Sequence, residues 1–198
     1  MYQPPLEPRL QQRYQILVNE SLQTAQKVAA GIKSRPSMAT AFAQTQAAWR
    51  FLNNERVSLP ALAEPLIEQG RTAAAASCTE FALVVHDWSH LNYNDHTRKS
   101  DRVQLGHSQD HGYELQTALL VSDQTGDPLT PLCQNLVAAA GIHTTRASQP
   151  LPSQTRLDEL AARMAYLEGL PLGRPLVHVI DREADSVGHY RQIGRAHV

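Results

Sequence analysis

Two short apolar runs, each followed at once by polar residues that include an aspartate, constrain this sequence more than any other feature. Phe81–Val85 leads into His86 and Asp87, and Leu176–Ile180 leads into Asp181. Continuous apolar runs of this length, bounded by polar residues, are typical of strands buried in a sheet. Side chains just beyond such strands leave the core and meet solvent on a rigid scaffold. The pattern therefore predicts an α/β chain with acidic groups at the ends of two strands.

The first part of the chain has the spacing of helices. Apolar residues recur at three- and four-residue steps over residues 10–31 and 40–52, and a third helix is expected over residues 58–69. Pro65 falls inside that third segment and predicts a kink there. We therefore expect a small helical unit over residues 1–70.

Strand signals separated by turn residues dominate the remainder. The expected order is three strands, a helix, a strand and a final helix, which makes residues 71–192 a mixed-sheet core. Besides the two apolar runs, the expected elements are a short strand at 91–93 that pairs back on the first, strands at 113–122 and 128–133 around a turn at 123–127, and helices at 157–168 and 184–191.

Composition narrows the class of protein. The 198 residues carry 18 basic and 19 acidic side chains, a formal net charge of −1, which gives no global argument for a polyanionic partner. No uncharged stretch approaches the roughly 20 residues that span a bilayer, and the opening residues lack the apolar segment of a secretory signal. The lack of a spanning stretch predicts no membrane partner. Cys78 and Cys133 are too few for a disulfide framework and lack metal-site spacing, which favours a reducing cytoplasm.

Asp87 and Asp181 form a candidate pair of metal ligands. They are 181 − 87 = 94 residues apart, on strands that one sheet can place side by side. Mg²⁺ takes oxygen ligands, usually one or two carboxylates together with phosphate oxygens. Pairs of such ions activate water and stabilise the leaving oxygen in phosphodiester displacement. Each aspartate taken alone is also a common turn former or helix N-cap, so a structural role stays open.

Three blocks of the sequence together resemble one protein family. They are Ala47–Ser58, Val84–Tyr93 and Val179–Asp185, and the last contains the specific string Asp-Arg-Glu-Ala-Asp directly after an apolar strand. In this order they are similar to the DNA-binding helix and the two aspartate motifs of bacterial cut-and-paste transposases of the insertion sequence 4 family, which includes the transposon five enzyme.

The resemblance implies a fold and an activity. It implies an RNase H-like catalytic core, here truncated, after the helical DNA-binding unit. Asp87 and Asp181 would be two of three acidic ligands for Mg²⁺ or Mn²⁺. With them, the full-length enzyme would cut double-stranded DNA at transposon ends and join the 3′ hydroxyl to a target, acting as a homodimer.

The sequence departs from the family pattern near its end. The third ligand should be a glutamate within a Tyr, Arg, Glu, Lys signature, yet no tyrosine here is followed three residues later by arginine. We therefore expect this polypeptide alone to be catalytically inert. Residues Ile193–Val198 are what one reading frame of a common short-read sequencing adapter encodes, which predicts a non-native tail.

The basic residues of the helical part are candidates for contact with DNA phosphates, since such contacts give salt-dependent affinity. Those selected are Lys33, Arg35, Arg50 and Arg56. An ordinary solvated helix surface is the alternative for all four, and a binding module without catalytic chemistry is the corresponding alternative function. Trp49, Phe51 and Trp88 are expected to pack in the core.

A metallohydrolase is the other rival, because His86, Asp87 and His90 are close in sequence and imidazole suits zinc. On a strand, however, His86 and His90 share one face while Asp87 points to the other.

Overall fold

The computed structural model describes residues 6–25 and 38–181. Lys33, Arg35, the predicted helix at 184–191 and the predicted non-native tail at 193–198 lie outside the described residues. The chain divides into two compact units, Met1–Leu62 and Ala63–Val198, and the division falls inside the third helix. Among the described helices, none has both the length and the apolar character needed to cross a membrane.

The first unit contains α1 (Pro8–Ala25), α2 (Met38–Leu52) and the start of α3 (Leu59–Ser77). The rings of Tyr14 and Phe51 lie parallel with centroids 6.2 Å apart, and the Tyr14 hydroxyl donates to the Leu62 carbonyl at 3.0 Å. Phe51 is buried as expected, but Trp49 is 65% exposed. The prediction for Trp49 was wrong because α2 turns Ala48 and Phe51 inward, which leaves the indole on the outer side.

Helix α3 is longer than expected and continues past Pro65, where a kink was expected. It passes Pro65 and Gly70 and ends at Ser77, so the prediction of a helix ending at Gln69 was wrong. A Cβ atom at Gly70 would lie 2.6 Å from Leu132 Cδ2. The glycine is therefore explained by close packing of the helix on the sheet rather than by a helix end.

The second unit is built on a six-stranded mixed sheet, so the prediction of a mixed α/β chain is confirmed. The strand order is β5-β4-β3-β1-β6, with β2 also paired to β3. Only the β1–β6 pairing is parallel among the described strands. The elements are β1 (Ala82–Asn92), β2 (Val103–Gln104), β3 (His111–Ser122), β4 (Pro128–Ala138), β5 (Gly141–Thr144), α4 (Arg156–Glu168) and β6 (Leu176–Val179).

Strand β1 is longer than expected. It does not end at Asp87 but runs to Asn92, antiparallel to β3 along its whole length. Residues 91–93 therefore do not pair back on it, as they were expected to do; Leu91 instead continues the strand opposite Tyr113. The second half of β1 has only two apolar residues, Trp88 and Leu91, and they are three positions apart. Residues 86–90 therefore show neither an apolar run nor a two-residue alternation, and the sequence did not predict them as strand.

The two faces of the sheet differ in their cover. On the face called here the core face, residues such as Val84, Leu120 and Leu132 are buried together with Ala74 of α3 and Leu167 of α4. On the opposite face, called here the open face, Leu83, Val85, Leu119 and Val121 are only partly buried, and Val177 and Val179 are 39% and 43% exposed. The described helices of this unit thus pack on one side of the sheet.

Asp123 joins the start of the β3–β4 turn to the segment before β1. Its carboxylate accepts hydrogen bonds from the backbone N–H groups of Thr79, Glu80 and Phe81 at 2.8 to 3.0 Å and from the Thr79 hydroxyl at 3.1 Å. These donors, with the Phe81 and Thr79 N–H groups foremost, hold the pKa of Asp123 far below its usual range.

Replacing Gly70 by alanine should lower the free energy of unfolding. Helix propensity alone would raise it by about 1 kcal/mol, but the new Cβ would overlap Leu132 and overpacking typically costs about 1–3 kcal/mol. Urea unfolding measures the change. Ala75→Gly, at an exposed position of the same helix, calibrates the propensity effect, and a net stabilisation by Gly70→Ala would show that the packing is looser than described.

Replacing Asp123 by asparagine should destabilise the protein at neutral pH and progressively less in acid. A carboxyl with a lowered folded-state pKa stabilises fully above its unfolded pKa of about 3.9 and loses that contribution as the pH falls below it. Thermal melts from neutral to acid pH test this. Asp127→Asn, an exposed aspartate of the same turn, is the control and should change little; parallel pH profiles for wild type and Asp123→Asn would contradict the role assigned to Asp123.

Candidate functional site

The parallel pairing of β1 with β6 ends two residues before Asp87, which lies within β1, and two residues before Asp181, which follows the end of β6. The last paired residues are Val85 and Val179, whose offset of 179 − 85 = 94 equals that between the two aspartates. Each aspartate lies two residues further on and is exposed. Side chains two apart on a strand share a face, and neighbouring strands are about 4.8 Å apart. Asp87 therefore lies on the open face, and the same alternation continued beyond Val179 assigns Asp181 to that face, just past the end of the β1–β6 ladder.

Ser89 orients the first of these carboxylates. Its hydroxyl donates to Asp87 Oδ2 at 2.8 Å, and it lies on the same face because it is two residues further along β1. The sequence contained a signal for it, since every second residue of a strand shares a face, but residues 88–90 were not predicted to be strand.

The oxygen donors of this site suit a hard cation. Two aspartate carboxylates and a serine hydroxyl are the ligand chemistry that Mg²⁺ and Mn²⁺ prefer. Within the described ranges there is no group of three His, Cys, Asp or Glu side chains placed to hold a metal ion. The donor set thus fits a divalent cation in kind but supplies two carboxylates, not three.

A chain of hydrogen-bonded side chains lies behind the aspartates, on the core face. His86 Nε2 is 2.9 Å from His178 Nδ1, and His178 Nε2 is 3.2 Å from Glu168 Oε1 at the end of α4. Burial lowers the pKa of His178, and the Glu168 carboxylate partly opposes that shift. The pairing links β1 to β6 by side chains directly behind the candidate metal ligands.

The histidines near Asp87 do not converge on it. His86 is 3% exposed on the core face, whereas Asp87 is exposed on the open face. His90 also faces the core side, 3.8 Å from Glu114 Oε2. The three side chains of the metallohydrolase hypothesis are thus divided between two faces of one strand.

A polar layer, buried except for Arg156 at its margin, lies between α4 and the strands β3 and β4. Arg156 Nη2 lies 2.5 Å from Glu114 Oε2, and the Gln116 amide donates to Glu114 Oε1 at 2.9 Å. The Asn135 amide in turn donates to Gln116 Oε1 at 2.9 Å and to Glu159. Sequence reasoning missed this layer because its members come from two strands and a helix.

A cavity of about 310 Å³ opens beside this layer and is lined by His90, Glu114, Gln116 and Arg156 among others. These residues face the core side, so the cavity is separate from the aspartates on the open face.

The polar layer also contains Arg163, whose side chain is fully buried. Its Nη2 is 3.2 Å from Glu159 Oε2, but the geometry is not that of a hydrogen bond, and no acceptor within the described part of the chain reaches its other N–H groups. Arg146 meets the other Glu159 oxygen at 2.8 Å, and the Arg163 guanidinium lies 5.9 Å from the Trp88 ring centroid. Desolvation lowers the pKa of Arg163, opposed by Glu159.

The first unit has a basic groove between α1 and α2. Its volume is about 300 Å³, and its lining includes Arg9, Arg13, Arg50, Phe51 and Asn54. Arg9 and Arg13 are four residues apart and so share one helix face, and all three arginines are exposed. Arg9 and Arg13 were not among the predicted DNA contacts, although their spacing was visible in the sequence.

The other predicted DNA contacts have different outcomes. Arg56 forms an ion pair with Glu7, with Nη1 at 2.9 and 3.0 Å from the two carboxylate oxygens. Both side chains are exposed, so the pair contributes only about 0–1 kcal/mol. Lys33 and Arg35 lie outside the described residues, which leaves Arg50 as the predicted contact found in the groove. No protein-family model matches the chain, and no curated protein matches it significantly.

Proposed function

We propose that this chain contributes two acidic ligands of a DNA transposase that uses Mg²⁺ or Mn²⁺ for strand cleavage and transfer at transposon ends. The observation that carries the proposal is the parallel β1–β6 register, whose offset of 179 − 85 = 94 residues equals the offset between Asp87 and Asp181. The order of three long antiparallel strands (β1, β3 and β4), a helix (α4) and a parallel strand (β6), with the short β2 and β5 between them, supports an RNase H-like core. The sequence resemblance points to the same two residues.

The aspartates have defined tasks in this proposal. A divalent cation, when bound, supplies an activated water or hydroxyl nucleophile and stabilises the leaving oxygen of the phosphodiester. Asp87 and Asp181 hold the cation by their carboxylates, and the Ser89 hydroxyl fixes the orientation of Asp87. The family pattern requires a third acidic ligand, so we infer that this chain alone binds a cation weakly and does not cleave DNA.

The basic groove supports the DNA-binding half of the proposal. The basic groove is lined by Arg9, Arg13 and Arg50, and within the described residues no carboxylate forms an ion pair with these three arginines. Arginine neutralises backbone phosphates without reading sequence. Double-stranded DNA is the proposed partner, in the cytoplasm, and a homodimer is proposed for the full-length enzyme from the resemblance alone.

A non-catalytic DNA-binding module is the second candidate. The same groove favours it, and so does the presence of only two carboxylates at the open face. The two candidates differ in one measurable property, because only the transposase proposal requires the aspartates to bind a divalent cation. The metallohydrolase is disfavoured by the opposite faces of His86 and Asp87.

Substituting either aspartate by asparagine should weaken Mn²⁺ binding at least about tenfold, because even residues that only orient a ligand contribute about that much. Loss of the free Mn²⁺ signal in electron paramagnetic resonance titrations measures the affinity. Asp127→Asn removes the same charge from an exposed turn and should leave the affinity unchanged. Equal affinity in wild type, Asp87→Asn and Asp181→Asn would exclude the proposed metal site.

Substituting Arg9, Arg13 and Arg50 together by glutamine should weaken binding to a short DNA duplex of unrelated sequence. The slope of log affinity against log salt should fall by about 0.9 for each phosphate that the groove no longer neutralises. Fluorescence anisotropy at several salt concentrations gives both quantities. Arg71→Gln, an exposed arginine on α3 paired with Glu68, should leave the slope nearly unchanged. An unchanged slope in the triple variant would remove the groove from the DNA interface.

A further inference from the structure

The β1–β6 ladder is short, and a side-chain hydrogen bond extends the link between the strands towards the aspartates. Backbone pairing runs from Ala82 opposite Leu176 to Val85 opposite Val179 and then stops. His86 is the next residue of β1, and its Nε2 lies 2.9 Å from His178 Nδ1 on β6. His86 directly precedes Asp87, and His178 is three residues before Asp181.

Glu168 determines how the two imidazoles share their protons. An ionised carboxylate only accepts hydrogen bonds, so the His178 nitrogen 3.2 Å from Glu168 Oε1 must carry the proton. Neutral His178 then has an unprotonated Nδ1, which accepts from the Nε2–H of His86. Burial favours this neutral form by lowering the pKa of His178. The result is a directed chain from His86 through His178 to Glu168.

We propose that His178 is a positioning residue that fixes the separation of Asp87 and Asp181 through its hydrogen bond to His86. The proposal rests on the proposed metal-binding function of the two aspartates. Mg²⁺ demands ligand distances of about 2.0–2.1 Å in near-ideal geometry, so both carboxylates can bind one ion only when the strands are held together. Backbone pairing ends at Val85 and Val179, and the bond from His86, one residue beyond this end on β1, back to His178 within the ladder supplies that restraint from the core face.

Two substitutions of His178 separate the hydrogen bond from packing. His178→Leu introduces an apolar side chain of similar volume and removes both hydrogen bonds. His178→Asn keeps an amide near the position of Nδ1, where it can still bond His86, and gives up the interaction with Glu168. Mn²⁺ affinity should fall about tenfold in His178→Leu, as for other partners that orient a metal ligand, and should stay near the wild-type value in His178→Asn.

Val84→Ala is the matched control for a purely structural role. Val84 is fully buried and lies directly opposite His178 in the β1–β6 register, so its truncation weakens the same strand pair without touching the histidine bond. Affinities are measured by Mn²⁺ titration at a temperature where thermal melts show every variant to be folded. The expected result is a loss of thermal stability in Val84→Ala with unchanged Mn²⁺ affinity.

The outcomes distinguish this inference from the proposed function. If Asp87→Asn and Asp181→Asn lose Mn²⁺ while His178→Leu binds it as wild type does, the positioning role is wrong and the metal site stands. If Val84→Ala loses as much affinity as His178→Leu, the histidine acts only through strand stability and the positioning role is also wrong. If the aspartate variants bind like wild type, or wild type binds no Mn²⁺, both proposals fail.

Discussion

The parallel pairing of β1 with β6 is the constraint on which the candidate site depends. The two strands are far apart in sequence, and the β3–β4 hairpin, β5 and α4 lie between them along the chain. Helix α4 lies in the connection that brings the chain back to pair with β1. It packs on the core face, where Leu160 and Leu167 are fully buried. A short run of backbone pairs then sets the offset of 94 residues, which is also the offset between Asp87, within β1, and Asp181, just beyond β6.

The strong local signals of the sequence predicted most of this unit. The strands at 113–122 and 128–133, the helix at 157–168 and the strand at 176–180 are all confirmed within a few residues, because each has an apolar period or run bounded by turn residues. The misses have physical causes. β2 and β5 are too short to show a period, and Gly70 resembles a helix stop although its role is close approach to Leu132.

The site was predictable in its residues but not in its surroundings. Asp87 and Asp181 followed from their positions after apolar runs, and their common face follows from strand alternation once the register is known. The His86–His178 bond depends on that register and on the direction of two side chains, which no sequence period encodes. The prediction for Trp49 was wrong because composition cannot tell which side of a short alanine-rich helix faces the core; Ala48 and Phe51 take that side.

The buried polar layer under α4 influences the register in which β3 and β4 pair during folding. A slip by one residue between β3 and β4 would turn the side chains of one strand to the other face, so that either Glu114 or Asn135 would leave the polar layer and either Leu115 or Leu136 would face Arg163 and Glu159. Buried charges that lose their partners cost about 3–5 kcal/mol, so misaligned hairpins are penalised far more than an all-apolar interior would penalise them. The charges beneath the helix thus raise the free energy of shifted registers, and so they favour the native alignment of β3 with β4.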